Sequence, residues 1–121
     1  MEGKNHNEIG NYAEELACNY LMDKGFSILE RNWRYKHLEV DIIAEKSNLL
    51  IVVEVKFRSS TLMGEPEVFV NRQKQKFLIE AVNQYILQKN IDKEVRFDIV
   101  AITKKRGEYV VNHIEDAFYA R

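Results

Sequence analysis

The chain has 121 residues, 45% of them hydrophobic and 31% charged, with a formal net charge of −1. A chain of this size holds one hydrophobic core, so one domain over residues 1–121 is expected, and the balanced charge excludes a polyelectrolyte partner recognised by global charge, leaving only local basic surface. The single cysteine, Cys18, excludes an internal disulfide framework; with no apolar run near ~20 residues and no leader-like pattern, a cytoplasmic location off the membrane is expected.

The first element is an amphipathic helix, because Ile9, Tyr12, Ala13, Leu16, Ala17, Tyr20 and Leu21 recur at helical spacing. Asn5 or Asn7 suits its start and Gly25 its end. Residues 26–35 read as a strand, and residues 38–45 and 49–57 are two further strands rich in aliphatic and β-branched side chains. Residues 58–70, with Gly64 and the only proline, Pro66, read as a loop. A second helix spans residues 71–89 on the stripe Phe77, Leu78, Ala81, Val82, Tyr85 and Ile86. Strands at 95–102 and 109–114 join through a turn at Arg106-Gly107, and residues 116–118 form a short terminal turn. The order αβββαββ specifies an α/β fold with a mixed sheet flanked by helices.

The most informative residues lie on the second and third strands. A turn centred on Ser47-Asn48 sets Asp41 opposite Glu54 and Glu39 opposite Lys56, and period-two alternation puts all four on one face. Opposed like charges destabilise a sheet, so the Asp41–Glu54 pair invites a divalent cation. Mg²⁺ takes one or two carboxylates and keeps positions for waters and phosphate oxygens. Lys56 is then placed to position an attacking water or share phosphate charge, and Glu14, at the edge of the first helical stripe, supplies a third carboxylate. The competing reading is a solvated strand face or the protection of an edge strand. Against it, residues 49–53 are apolar on both faces, as in a strand buried at mid-sheet.

Residues 31–36 interleave cations with aromatics, and residues 56–76 carry five basic side chains against two acidic ones. Arg34, Arg58, Arg72 and Lys74 are therefore candidate contacts to nucleic-acid phosphates, although a half-buried strand and a solvated helix start would look similar. His6, His37, His113 and Cys18 lack the spacing of a zinc site.

These residues also carry a resemblance. Glu14, Asp41 and Glu54-Val55-Lys56 resemble the signature of the PD-(D/E)xK nuclease superfamily. Over nearly its whole length the chain is similar to the YraN-like family of predicted bacterial endonucleases, related in fold to Holliday-junction resolvases. The matching blocks are residues 10–17 with Tyr20-Leu21, then 31–34, 39–44, 53–58, 64–66, 70–74, 96–100 and 113–118. The resemblance implies a restriction-endonuclease-like fold, with Glu14, Asp41, Glu54 and Lys56 as site positions. It also implies Mg²⁺ or Mn²⁺ as cofactor and DNA, including branched DNA, as substrate. A homodimer would suit symmetric cleavage of two strands. The chain departs from the family in carrying His37-Leu38 and Ala13 where glycines are usual, so bulk near the phosphate approach is expected. Two other classes remain: a nucleic-acid-binding module without turnover, and an accessory domain acting through a protein partner.

Overall fold

The computed structural model describes residues 6–59 and 69–119, so Asn5, Gly64 and Pro66 lie outside the described residues. Its elements run α1 (His6–Asp23), β1 (Ser27–Tyr35), β2 (Leu38–Lys46), β3 (Leu49–Ser59), α2 (Arg72–Lys89), β4 (Glu94–Lys105) and β5 (Glu108–Phe118). One five-stranded sheet has the order β1-β2-β3-β4-β5, antiparallel except for the β3–β4 pair, which α2 connects. This is the mixed, helix-flanked sheet expected of a restriction-endonuclease-like fold.

Local chemistry sets most boundaries. The β2–β3 and β4–β5 turns place Ser47 (φ 50), Asn48 (φ 65), Arg106 (φ 51) and Gly107 (φ 81) at positive φ, the two-residue geometry that matches strand twist. Gly25, at φ 92, ends α1 as the left-handed residue of a Schellman motif. Its N–H reaches Met22 O and the Phe26 N–H reaches Leu21 O, each at 3.0 Å, and Phe26 and Leu21 join the same core. At the other end Asn7 falls inside α1, not before it. The cap of α2 is Asn71, whose side chain accepts the Lys74 N–H at 2.8 Å. No described helix is long and apolar enough to cross a membrane.

Several strand ends run past the sequence expectation, β4 among them, which ends at Lys105 and not at residue 102. β3 continues through Arg58 and Ser59 because β4 supplies partners at Thr103 and Lys104. Residues 116–118 are not a terminal turn: β5 passes a bulge at Asp116 (φ 55) and pairs again at Phe97↔Phe118. The cause is Asp98, fully buried, whose carboxylate accepts the Asp116 N–H at 3.0 Å, two Arg96 bonds at 2.8 Å and a His113 Nε2 bond at 2.8 Å. Burial opposes its ionisation, but the bonds from His113, Arg96 and Asp116 prevail and hold its carboxyl below the usual range.

The sheet separates two cores. On one side Leu78, Ala81, Val82 and Tyr85 of α2 meet Leu38, Val40, Ile43, Leu50 and Val52. On the other, Ala13, Ala17, Cys18 and Leu21 of α1 meet Ile42, Ala44, Ile51, Val53, Val100 and Ile102. Val40 and Ile43 share the α2 side, which strict alternation forbids. β2 therefore reverses its faces at Asp41, opposite Asn32 of β1, a non-glycine residue at φ 52.

Candidate metal and phosphate site

That reversal places the acidic residues. Pairing between β2 and β3 follows the expected register from Lys46↔Leu49 to Ile42↔Val53. Beyond it, the Asp41 Oδ2 accepts the Val55 N–H at 2.8 Å, so a side chain takes up a donor of the diverging strand. Asp41 stands where the two cores meet, close to Glu54 of β3 and Glu14 of α1, whose carboxyls both feel its charge.

Glu54 follows Val52 in alternation and so faces α2. It retains only 6% of its exposure. Its Oε2 lies 3.6 Å from Lys74 Nζ and 3.9 Å from Lys56 Nζ. Its Oε1 is buried with no hydrogen-bond donor among the described residues, and so is Oε1 of Glu14. Burial, then the charge of Asp41, drives the Glu54 carboxyl up to about 8, against the pull of Lys74 and Lys56. Glu14 is raised by burial and by Asp41, and a hydrogen bond from Asn32 draws it back. Two adjacent carboxylates with a buried, donorless oxygen require a proton or a cation between them.

The donor set fits a hard divalent cation. Among the described residues no three His, Cys, Asp or Glu side chains form a ready-made cage. Asp41 and Glu54 are a carboxylate pair of the kind Mg²⁺ or Mn²⁺ uses, with the remaining positions left to water and phosphate oxygens. Glu14 feels the charge of Asp41 from the α1 side without completing a set of three.

Not every expected position converges. Glu39 lies between Leu38 and Val40, both in the α2-side core, and therefore faces the other side of the sheet. It does not oppose Lys56 but pairs with Arg34 at 2.7 Å. The four residues expected on one face are thus split, with Glu54 and Lys56 towards α2, Glu39 towards α1 and Asp41 at the reversal. Arg34 remains 75% exposed in its pair, while Trp33 and Tyr35 pack on the α2-side core, so residues 33–35 alternate between core and solvent. Arg58 is exposed and its guanidinium bonds the Phe57 carbonyl at 2.9 Å. Arg72 opens α2. Leu38 is core and so adds no free bulk, whereas His37 is exposed and meets the Phe77 ring edge-on at 6.0 Å.

No linear pattern marks Lys74 or Asn32 as part of the cluster. Lys74 reads as a helix-surface cation until α2 is folded over β3. Asn32 carries one weak signal: it is a poor strand former inside a strand-like run, and asparagine tolerates the left-handed region.

The family profile described as "Uncharacterised protein family UPF0102" matches residues 13–102, a span that contains Glu14, Asp41, Glu54, Lys56 and Lys74. A UPF0102 protein of Flavobacterium psychrophilum is 48% identical over 114 residues, covering 94% of this chain and 96% of the relative. One from Flavobacterium johnsoniae is 51% identical over 118 residues with the same coverage. Another, from Bacteroides thetaiotaomicron, is 44% identical over 94% of both chains.

Proposed function

Because this chain belongs to the UPF0102 family and gathers the carboxyl groups of Glu14, Asp41 and Glu54 around the reversal in β2, we propose that it is a metal-dependent endonuclease of the PD-(D/E)xK type that hydrolyses phosphodiester bonds in DNA. The observation that carries this reading is the donorless, buried Oε1 of Glu54 beside Asp41. Once Glu54 is ionised, leaving such an oxygen unpaired costs roughly 1–3 kcal/mol or more, a cost that a bound cation removes as the shared proton leaves.

Asp41 and Glu54 would hold the ion, with Glu14 as an auxiliary carboxylate. Bound there, Mg²⁺ or Mn²⁺ would supply Lewis-acid polarisation of a phosphoryl oxygen and neutralise charge on it. The chain's own groups do the rest. The Lys56 ammonium, on the strand face beside Glu54, orients the attacking water and meets charge that grows on the phosphate. The Val55 N–H holds the Asp41 carboxylate in one orientation. Arg58 and Arg72 bind flanking phosphates as point contacts. Symmetric cutting of a branched substrate would be met most simply by a C2 homodimer.

A second reading, a DNA-binding module without turnover, draws on Lys56 and Lys74, which already flank Glu54 with positive charge. A cleavage screen with Mg²⁺ and Mn²⁺ over linear, flapped and four-way DNA and over RNA separates the two. Metal-dependent cleavage of a DNA substrate is expected, and salt-sensitive binding with no product on any substrate would sink the enzyme reading.

Binding itself has a quantitative signature. The log of DNA affinity should fall linearly with the log of salt concentration, at about 0.9 per neutralised phosphate. Arg58→Gln and Arg72→Gln should each reduce that slope by about one. Salt-independent affinity measured by fluorescence anisotropy would point instead to a protein partner.

A further inference from the structure

Lys74 reaches the carboxylates from outside the sheet. Its Nζ is 3.6 Å from Glu54 Oε2, nearer than that of Lys56 at 3.9 Å, and its side chain is 38% exposed. It sits in the first turn of α2, which holds no acidic residue and also carries Arg72. A cation there opposes the helix dipole, so this turn is electrostatically unfavourable until an anion meets it. One anion is Glu54. The other oxygen of that carboxylate is buried and has no donor among the described residues, so the contact with Lys74 leaves the group only half satisfied.

A divalent cation between Asp41 and Glu54 would repel an ammonium held against the same carboxylate. Lys74 can leave, because its side chain is 38% exposed and its charge sits on a flexible four-carbon stem, while its backbone stays tied to the Asn71 cap. We propose that Lys74 is an exchangeable counter-ion. Its ammonium rests against Glu54 while the site is metal-free, and it turns to a phosphate oxygen of the bound strand when a divalent cation takes that place beside the ionised carboxylates. Metal and DNA then favour each other's binding, and by linkage each changes the other's affinity by the same factor. This role rests on the metal-dependent reading of the site, to which it adds a positioning residue on α2 and a coupling between cofactor and substrate.

The test uses the full chain with Ca²⁺, which permits binding measurements without turnover, and a fluorescent four-way DNA junction. In the wild type, Ca²⁺ should tighten DNA binding at least about fivefold, and DNA should tighten Ca²⁺ binding by the same factor. Lys74→Gln keeps the Asn71 cap and helix propensity, so the fold should survive, as checked by circular dichroism. In this variant Ca²⁺ should bind several-fold more tightly without DNA, having no resident cation to displace, and the coupling factor should fall to near one. A folded Lys74→Gln protein with wild-type Ca²⁺ affinity and wild-type coupling overturns the role of Lys74 and leaves the metal site standing. DNA affinity that does not respond to Ca²⁺ in the wild type overturns the exchange. A wild type that binds neither Ca²⁺ nor Mn²⁺ overturns both the exchange and the metal-dependent reading.

Discussion

Mg²⁺ or Mn²⁺ is expected to raise the melting temperature of the wild type, and Asp41→Asn should abolish most of that rise. A ligand at ten times its Kd adds about 1.4 kcal/mol to a single-site protein, which is roughly 5 °C for a chain of this length. Asparagine keeps the acceptor that the Val55 N–H uses at 2.8 Å, so the fold should tolerate the change while one of the two charges facing the ion disappears. The response should also depend on pH. With the Glu54 carboxyl pushed up from 4.5 to about 8 by burial and by Asp41, the folded chain holds a proton there that the unfolded chain has released. Between those values the folded state binds more protons, so the stability of the metal-free protein falls as pH rises through that window, by up to about 5 kcal/mol in total. Metal binding displaces this proton and should strengthen up to about pH 8. Glu54→Gln should flatten the pH dependence, raise metal-free stability at pH 8 and remove the metal response. Thermal denaturation at pH 5, 7 and 9, with and without 10 mM Mg²⁺ (roughly ten Kd for a millimolar site), measures all of these. An Asp41→Asn protein that responds to metal as the wild type does would rule out the site.

Lys56→Ala should lower the cleavage rate by on the order of 10² or more while leaving the metal-induced stabilisation in place. The structure makes this separation cleaner than the strand register suggests. Glu39 already has Arg34 as its partner and Glu54 keeps Lys74 at 3.6 Å, so removing Lys56 leaves neither carboxylate without a nearby cation. The loss should therefore fall on kcat and not on stability. Single-turnover cleavage beside thermal denaturation tests this directly, and undiminished cleavage by a folded Lys56→Ala protein would remove Lys56 from the chemistry.

Five carboxylates mark how far a linear pattern reaches. Asp41 and Glu54 are legible as neighbours because the Ser47-Asn48 turn sets the β2–β3 register, which holds as far as Ile42↔Val53, one residue short of Asp41. Glu39 is misplaced by the same register when it is carried past Asp41, where the faces of β2 reverse. Glu14 is legible only as a helix-edge residue, since its distance from Asp41 depends on how α1 packs on the sheet. Asp98 reads as part of a hydrophobic strand, yet it holds the bulge at Asp116 through bonds to residues as far as 18 positions away.

The sequence by itself determined the elements, their order, the hairpin turns and the strand that carries Glu54-Val55-Lys56. Each of these rests on periodicity or on backbone preferences acting over a few residues. Only the tertiary structure decided which carboxylates meet, that Lys74 of α2 stands beside Glu54, and that Asn32 and Asp41 mark a reversal of faces in β1 and β2. Those facts arise where two strands diverge and a helix crosses them, so they depend on contacts between residues remote in the chain, whose cost and gain no local pattern records.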